Sequence, residues 1–298
     1  MPPLDYHIVD VFTNTPLQGN PLAVVMNTCA VTTERMQAIA REFNLSETTF
    51  VERRAAEVER AEGVRVRIFT TQEELNFAGH PTLGTAAVLK MHAPETVSGN
   101  TVTLALNAGA IPVRYAREDL FGEMMQLNPS FGEELDSAEV THLTGLPIDD
   151  LDPALPPQIV STGTAFAVVV LRGANSLARL RVNHEAAFHW LRERGARWFY
   201  VIAPDAAQSD SSFPQWRARM QFYGGEDPAT GSAAGCAISY LVNRGAVSGG
   251  QRIHLRQGVE IGRASELFLS ADIADARVTN VRVAGSTVSV AKGQLFLP

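Results

Sequence analysis

Lysine is nearly absent from this 298-residue chain: Lys90 and Lys292 are the only two, and arginine carries the remaining positive charge. Neither lies inside a motif, so a Schiff-base lysine has little to rest on. Cysteine is equally scarce. Cys29 and Cys236 lack CxxC or metal-finger spacing, which argues against a disulfide scaffold and leaves no zinc signature. Histidine offers no metal pair either, since His184 and His189 are five apart and do not share a helix face. The longest apolar run, residues 165–171, is far short of the about 18 residues that a membrane-spanning helix needs. Met1-Pro2-Pro3-Leu4-Asp5 has neither the basic nor the apolar segment of a signal peptide. There is no Lys/Arg-rich tract, and the formal net charge is −7, so nucleic acid and anionic membranes are not expected partners. GxGxxG, P-loop and GxSxG patterns are missing, which removes support for a nucleotide cofactor or an α/β-hydrolase nucleophile. A soluble, cytoplasmic protein is the expectation.

What the chain does contain is a repeated pattern. His80-Pro81-Thr82-Leu83-Gly84-Thr85-Ala86-Ala87 and Asp227-Pro228-Ala229-Thr230-Gly231-Ser232-Ala233-Ala234 share one form, 147 residues apart (80 to 227). That spacing is almost half the chain, as an internal duplication would leave it. A length of 298 residues also favours two domains over one core. Each motif opens a segment of small, apolar residues, 82–89 and 229–242, that reads as a helix apolar all round. Such a helix must be enclosed by other structure. His80 is expected at a helix cap with Pro81 in the first turn, and Asp227 is expected to open the second helix. Two helix starts facing each other across a cleft would offer unpaired N–H groups and partial positive charge to a small anion.

The order of elements recurs around the two motifs. Strand-like segments at 6–12 and 22–26 precede a helix capped by Thr32 or Thr33, with Met36, Ile39, Ala40 and Phe43 on one face and Asn44 as its stop. Strands follow at 48–51 and 64–70, with residues 52–63 read as a solvated strand end and turn. Strands at 101–106, 111–115 and 123–127 come after the first central helix. In the second half, strands at 159–161 and 166–171, a helix capped by Asn183, and strands at 198–202 and 216–220 repeat the series. The predicted boundary falls near residue 128, giving lobes 1–127 and 128–283. Residues 284–298 are a candidate to complete the first lobe. Glu47, just past the Asn44 stop, sits at a helix-to-strand junction. It is either a solvated surface carboxylate or, beside a closed cleft that raises its pKa, a group able to take a proton from carbon.

Asn76-Phe77-Ala78-Gly79-His80-Pro81-Thr82-Leu83-Gly84-Thr85-Ala86 and Gly225-Glu226-Asp227-Pro228-Ala229-Thr230-Gly231-Ser232-Ala233-Ala234-Gly235 resemble the two signatures of the PhzF-like family. Residues 10–25 with Gly19-Asn20-Pro21, Asn44-Leu45-Ser46-Glu47-Thr48, and Gln257-Gly258-Val259-Glu260-Ile261-Gly262-Arg263 extend the resemblance over essentially the whole chain. It implies an α/β (mixed α+β) fold of diaminopimelate-epimerase type: two pseudo-symmetric lobes, each a sheet rolled around a central helix. It also implies a homodimer and a cofactor-free isomerase acting on a small carboxylate, as the phenazine-pathway member acts on trans-2,3-dihydro-3-hydroxyanthranilate. By this resemblance Glu47 is the general acid/base, His80 and Asp227 are polar catalytic residues, and Gly79, Gly231, Ser232 and Asn20 hold the substrate. Racemases of the fold use a cysteine at each helix start. Here those regions carry His80 and Asp227, which disfavours a thiol pair. Gln221-Phe222-Tyr223-Gly224-Gly225 is short for the family, so the natural substrate stays open. An epimerase acting on another small acid and a non-catalytic small-molecule binder are the competing readings.

Overall fold

A computed structural model of the chain describes residues 2–116, 119–206, 212–222 and 225–297. Tyr223 and Gly224 of the short segment before Asp227 lie outside the described residues. The chain divides into two compact units, Met1–Met125 with Ala284–Pro298, and Gln126–Val283.

The first unit contains β1 (Leu4–Val11), β2 (Asn20–Val25), α1 (Thr33–Phe43), β3 (Glu47–Glu52), α2 (Ala56–Glu62), β4 (Val64–Phe69), β5 (Glu74–Leu75), α3 (Gly79–His92), β6 (Val97–Ser98), β7 (Thr101–Leu106), β8 (Gly109–Tyr115) and β9 (Gly122–Met125). The second contains β10 (Ser130–Glu134), α4 (Ser137–Thr144), β11 (Gln158–Ser161), β12 (Ala165–Val170), α5 (His184–Glu193), β13 (Phe199–Pro204), β14 (Gln215–Arg219), β15 (Gln221–Phe222), β16 (Gly225–Glu226), α6 (Gly231–Asn243), β17 (Ile253–Gln257) and β18 (Ser265–Ala274). After β19 (Arg277–Gly285), β20 (Thr287–Leu295) pairs antiparallel with β1 inside the first unit.

Strand pairing repeats unit for unit. The first sheet runs β20, β1, β2, β3, β4, β7, β8, β9, with β2–β3 and β4–β7 parallel and the other pairs antiparallel. The second runs β10, β11, β12, β13, β14, β17, β18, with β12–β13 and β14–β17 parallel in the corresponding places. In each case the parallel pairs are the ones bridged by a helix, as a crossover requires.

Local chemistry explains the elements. Thr32 accepts a hydrogen bond from the Arg35 N–H and Asn44 closes α1 in the left-handed conformation, φ 51°. The helix buries Met36, Ile39 and Ala40 against Val25, Phe50 and Phe69. In the second unit Asn183 caps α5, whose Ala187 and Leu191 join Val169, Phe199 and Val201. The central helices are different. Residues 79–89 of α3 and 231–242 of α6 are buried on every side. Strands β1, β2, β3, β7, β8, β9 and β20 all touch α3, so the sheet curls around it. Close approach is required: a Cβ on Gly84 would stand 2.6 Å from Leu22 Cδ2 and 2.7 Å from Val11 Cγ2. On α6, a Cβ at Gly235 would stand 1.9 Å from Gln126 Oε1.

Three expectations need correction. Residues 52–63 hold α2, not a plain turn. The helix buries no residue, so it lacks the apolar stripe that periodicity detects. It rests on Ala, Glu and Arg as helix formers and on Glu59, which accepts from Arg53 Nε (3.0 Å) and the Arg54 N–H (2.7 Å). Next, α3 starts at Gly79 with Ala78 at the cap, so His80 is the second helical residue. Pro81 lies within the first turn, where its missing N–H costs nothing, and the helix extends back past it. Last, α6 starts at Gly231 with Thr230 at the cap, leaving Asp227 in the preceding loop. Gln257 holds that loop by accepting from the Thr230 N–H (3.1 Å) and donating to the Asp227 carbonyl (2.8 Å).

The helix starts therefore follow a different interval from the motifs. Gly79 and Gly231 are 152 residues apart, and so are two guanidinium–carboxylate clamps (67 to 219, 74 to 226). Arg67 grips Glu74 at 2.8 and 2.6 Å, and Arg219 grips Glu226 at 2.9 and 2.5 Å. Each clamp ties a long strand (β4, β14) to the two-residue strand that leads toward the central helix (β5, β16).

Candidate active site

In the first unit three predicted residues come together. Asn20 opens β2, Glu47 opens β3, and the parallel register sets Leu22 beside Glu47 at the same end of the sheet. The first turn of α3 delivers His80 there. Its Nδ1 lies 3.2 Å from Asn20 Nδ2 and 3.5 Å from Glu47 Oε2. The Glu47 side chain is 16% exposed and that of His80 only 3%. Burial pushes the imidazole down to about 3, outweighing a hydrogen bond with the Pro21 carbonyl that acts the other way. His80 is therefore a neutral ring at ordinary pH, and its contact with Glu47 is no ion pair. Its Nε2 is buried and has no hydrogen-bond partner among the described residues. An orphaned buried nitrogen costs about 1–3 kcal/mol, an expense that marks functional positions. Gly79 precedes His80 as the first residue of α3, at the end where a helix leaves its N–H groups without intrahelical acceptors.

In the second unit the structure gathers Asp227, Gly231 and Ser232. Asp227 is buried, its N–H bonds the Met220 carbonyl at 2.9 Å, and its Oδ2 accepts from the Thr230 hydroxyl at 2.6 Å. Gly231 and Ser232 are the first two residues of α6. The Gly231 carbonyl accepts from Gln126 Nε2 (2.8 Å), whose Oε1 accepts from Thr162 (2.6 Å). Phe199 opens β13 as Glu47 opens β3, so the second unit has no carboxylate in the equivalent place.

Neither cysteine is at a helix start. Cys29 is exposed, while Cys236 is the sixth residue of α6, its thiol pushed up to about 11 by burial. Among the described residues no group of three or more His, Cys, Asp or Glu side chains is placed to hold a metal ion, and no helix is long and apolar enough to cross a membrane.

Sequence reasoning assigned no role to Gln126, Thr162, Thr230, Gln257 or the two clamps. Only the clamps carry a sequence signal, an arginine and a glutamate seven apart in both halves. The amides and hydroxyls gain meaning only from what the fold puts beside them.

The duplicated mixed α/β architecture, with an apolar helix inside each curled sheet, is shared with solved structures. A phenazine biosynthesis protein of the PhzF family from Bacillus anthracis matches with a TM-score of 0.85 at 25% identity, covering all of both chains. A predicted epimerase from Pseudomonas aeruginosa matches with a TM-score of 0.82 at 32% identity, over 99% of this chain and all of that one. Residues 9–293 match the PhzC–PhzF family of phenazine biosynthesis-like proteins, and the chain belongs to that family. It is also similar to the trans-2,3-dihydro-3-hydroxyanthranilate isomerase of Pseudomonas aeruginosa, 34% identical over 98% of this chain and 99% of that protein.

Proposed function

We propose that the protein is a cofactor-independent isomerase that moves a proton between two carbons of a small carboxylate. The reaction class is that of the trans-2,3-dihydro-3-hydroxyanthranilate isomerases to which it is similar. One observation carries the assignment of roles: Glu47, the asymmetric carboxylate, lies 3.5 Å from a buried imidazole that stays neutral. Glu47 takes the proton as the C–H bond breaks, the electron pair enters the adjacent π system, and Glu47 returns the proton at another carbon. No oxidation state changes. His80, a neutral ring 3.5 Å from Glu47, packs beside the carboxylate and adds no positive charge to it. Asp227 is a polar contact for the substrate, and Asn20 and the helix-start residues Gly79, Gly231 and Ser232 hold its carboxylate. The two units are read as the functional lobes, and the protein as a cytoplasmic homodimer in keeping with the family.

Deuterium wash-in from D2O tests the reading, using trans-2,3-dihydro-3-hydroxyanthranilate and a panel of small unsaturated carboxylates. Exchange into one of them, lost in Glu47→Gln, is the expected result. Full turnover by Glu47→Gln would remove Glu47 as the base, and absence of exchange across the panel would favour a binding protein. An epimerase is the second reading, favoured by the 32% identity to a predicted epimerase and resolved by chiral analysis of the product. A thiol pair would not serve it, since the only thiol on a central helix, that of Cys236, is buried and protonated.

A further inference from the structure

The loop that carries Asp227 contains a hydrogen-bond chain in which every proton has one direction. Gln257 is completely buried. Its two amide atoms are fixed by backbone groups: Oε1 accepts from the Thr230 N–H at 3.1 Å, and Nε2 donates to the Asp227 carbonyl at 2.8 Å. A backbone N–H can only donate and a carbonyl can only accept, so the amide cannot be flipped. The Tyr200 hydroxyl, 2.9 Å from Oε1, agrees with this orientation. Burial, with the charge of Asp227 added, pushes its phenol well above the ordinary value, so it keeps its proton and donates. Nε2 also reaches Thr230 Oγ1 at 2.9 Å. That hydroxyl oxygen thus accepts a hydrogen bond from Gln257 and donates its single hydrogen to Asp227 Oδ2, 2.6 Å away.

We propose that Gln257 and Thr230 form a one-way relay that commits Asp227 Oδ2 as an acceptor and holds Asp227 as a carboxylate, a fixed anion and not a proton donor. This rests on the placing of Asp227 in the active site. Gln257 and Thr230 are then positioning residues. A donor aimed at the ionised oxygen favours the charged form. Glu47 is left as the carrier of the transferred proton. Among the described residues the charge of Asp227 acts on Tyr200 of β13, which keeps its proton, and the Arg219–Glu226 pair is its neighbour in the chain.

The test is carboxyl-carbon NMR titration of the full chain labelled at aspartate, with the Asp227 signal assigned by its loss in Asp227→Asn. Thr230→Val keeps the shape and removes the hydroxyl. The Asp227 titration is expected to move upward by about one to two pH units, the worth of one hydrogen bond to a charged group. Thr230→Ser restores the donor and is expected to titrate within about 0.3 units of the unaltered chain. Thr230→Ala replaces Thr230→Val if that variant fails to fold. An unmoved or lowered titration without the hydroxyl, or an equal rise in Thr230→Ser, would overturn the relay. Turnover by Asp227→Asn is read separately: if it matches the unaltered chain, the role of Asp227 in catalysis falls, whatever the titration shows.

Discussion

Replacing Gly235 by alanine should reverse its effect on stability according to what stands at position 126. Alanine in a helix interior is favoured over glycine by about 1 kcal/mol. In the unaltered chain the new methyl would lie 1.9 Å from Gln126 Oε1, 2.5 Å from Cδ and 2.9 Å from Nε2. The amide must leave. With it go the bonds to the Gly231 carbonyl and to Thr162, both in buried surroundings. Thr162 keeps the Ser232 carbonyl (3.5 Å) and Cys236 Sγ (3.6 Å) within reach, so two lost hydrogen bonds cost about 1–3 kcal/mol together, and Gly235→Ala is expected to destabilise by up to about 2 kcal/mol net. Gln126→Ala loses the same two bonds but clears the space. In that background Gly235→Ala should stabilise by up to about 1 kcal/mol. Urea denaturation of the four chains, followed by tryptophan fluorescence, measures the cycle, because Trp190, Trp198 and Trp216 all belong to the second unit. Additivity of the two substitutions within about 0.5 kcal/mol would refute the reasoning.

His80 should impose a pH dependence on stability. Its folded value of about 3 lies below the unfolded 6.5, so its contribution is complete above pH 6.5 and is lost as pH falls toward 3. Over that window the unfolded chain holds one more proton, worth about 1.4 kcal/mol per pH unit, and a His80→Asn chain should show a stability curve shallower by that amount. Ellman's reagent at mildly alkaline pH should titrate one thiol, Cys29, in the folded protein and reach Cys236 only after denaturation. Glu226→Gln, which breaks a pair only 7% and 6% exposed, should cost about 3–5 kcal/mol in urea denaturation, whereas Glu57→Gln, from a pair 66% and 78% exposed, should fall within about 0.5 kcal/mol of the unaltered chain.

Periodicity and turn chemistry located α1 and α5, whose apolar stripes and capping residues act over three or four positions, and the longer buried strands, but not the two-residue strands β5, β6, β15 and β16 or the exposed β10. Helix α2 escaped because nothing in it is buried, so its only signals were propensity and the ion pairs of Glu59. The motif repeat pointed to the right helices but misjudged where each begins. Pro81 is compatible with helix on either side of it, and the loop before α6 is held by Gln257, 26 residues beyond the helix start (231 to 257). For the candidate site, Glu47, His80 and Asn20 were legible through resemblance, while their approach depends on the parallel register of β2 and β3. Neutrality of His80 was not legible at all, since burial of one ring is the product of the whole first unit.

The pairing of β1 with β20 has a consequence for how the protein is made. Residues 4–11 are synthesised well before their partners, residues 287–295, with the whole of the second unit in between. The second unit is one continuous stretch and has its full set of strands by the time residue 283 appears. The first unit begins earlier and is finished later, with the outer edge of β1 unpaired until residues 287–295 have been made. An open strand edge is a template for unwanted pairing, and segments exposed in this way during synthesis are where aggregation starts. Selection on β1 therefore acts on its behaviour while waiting as well as on its fit in the completed sheet.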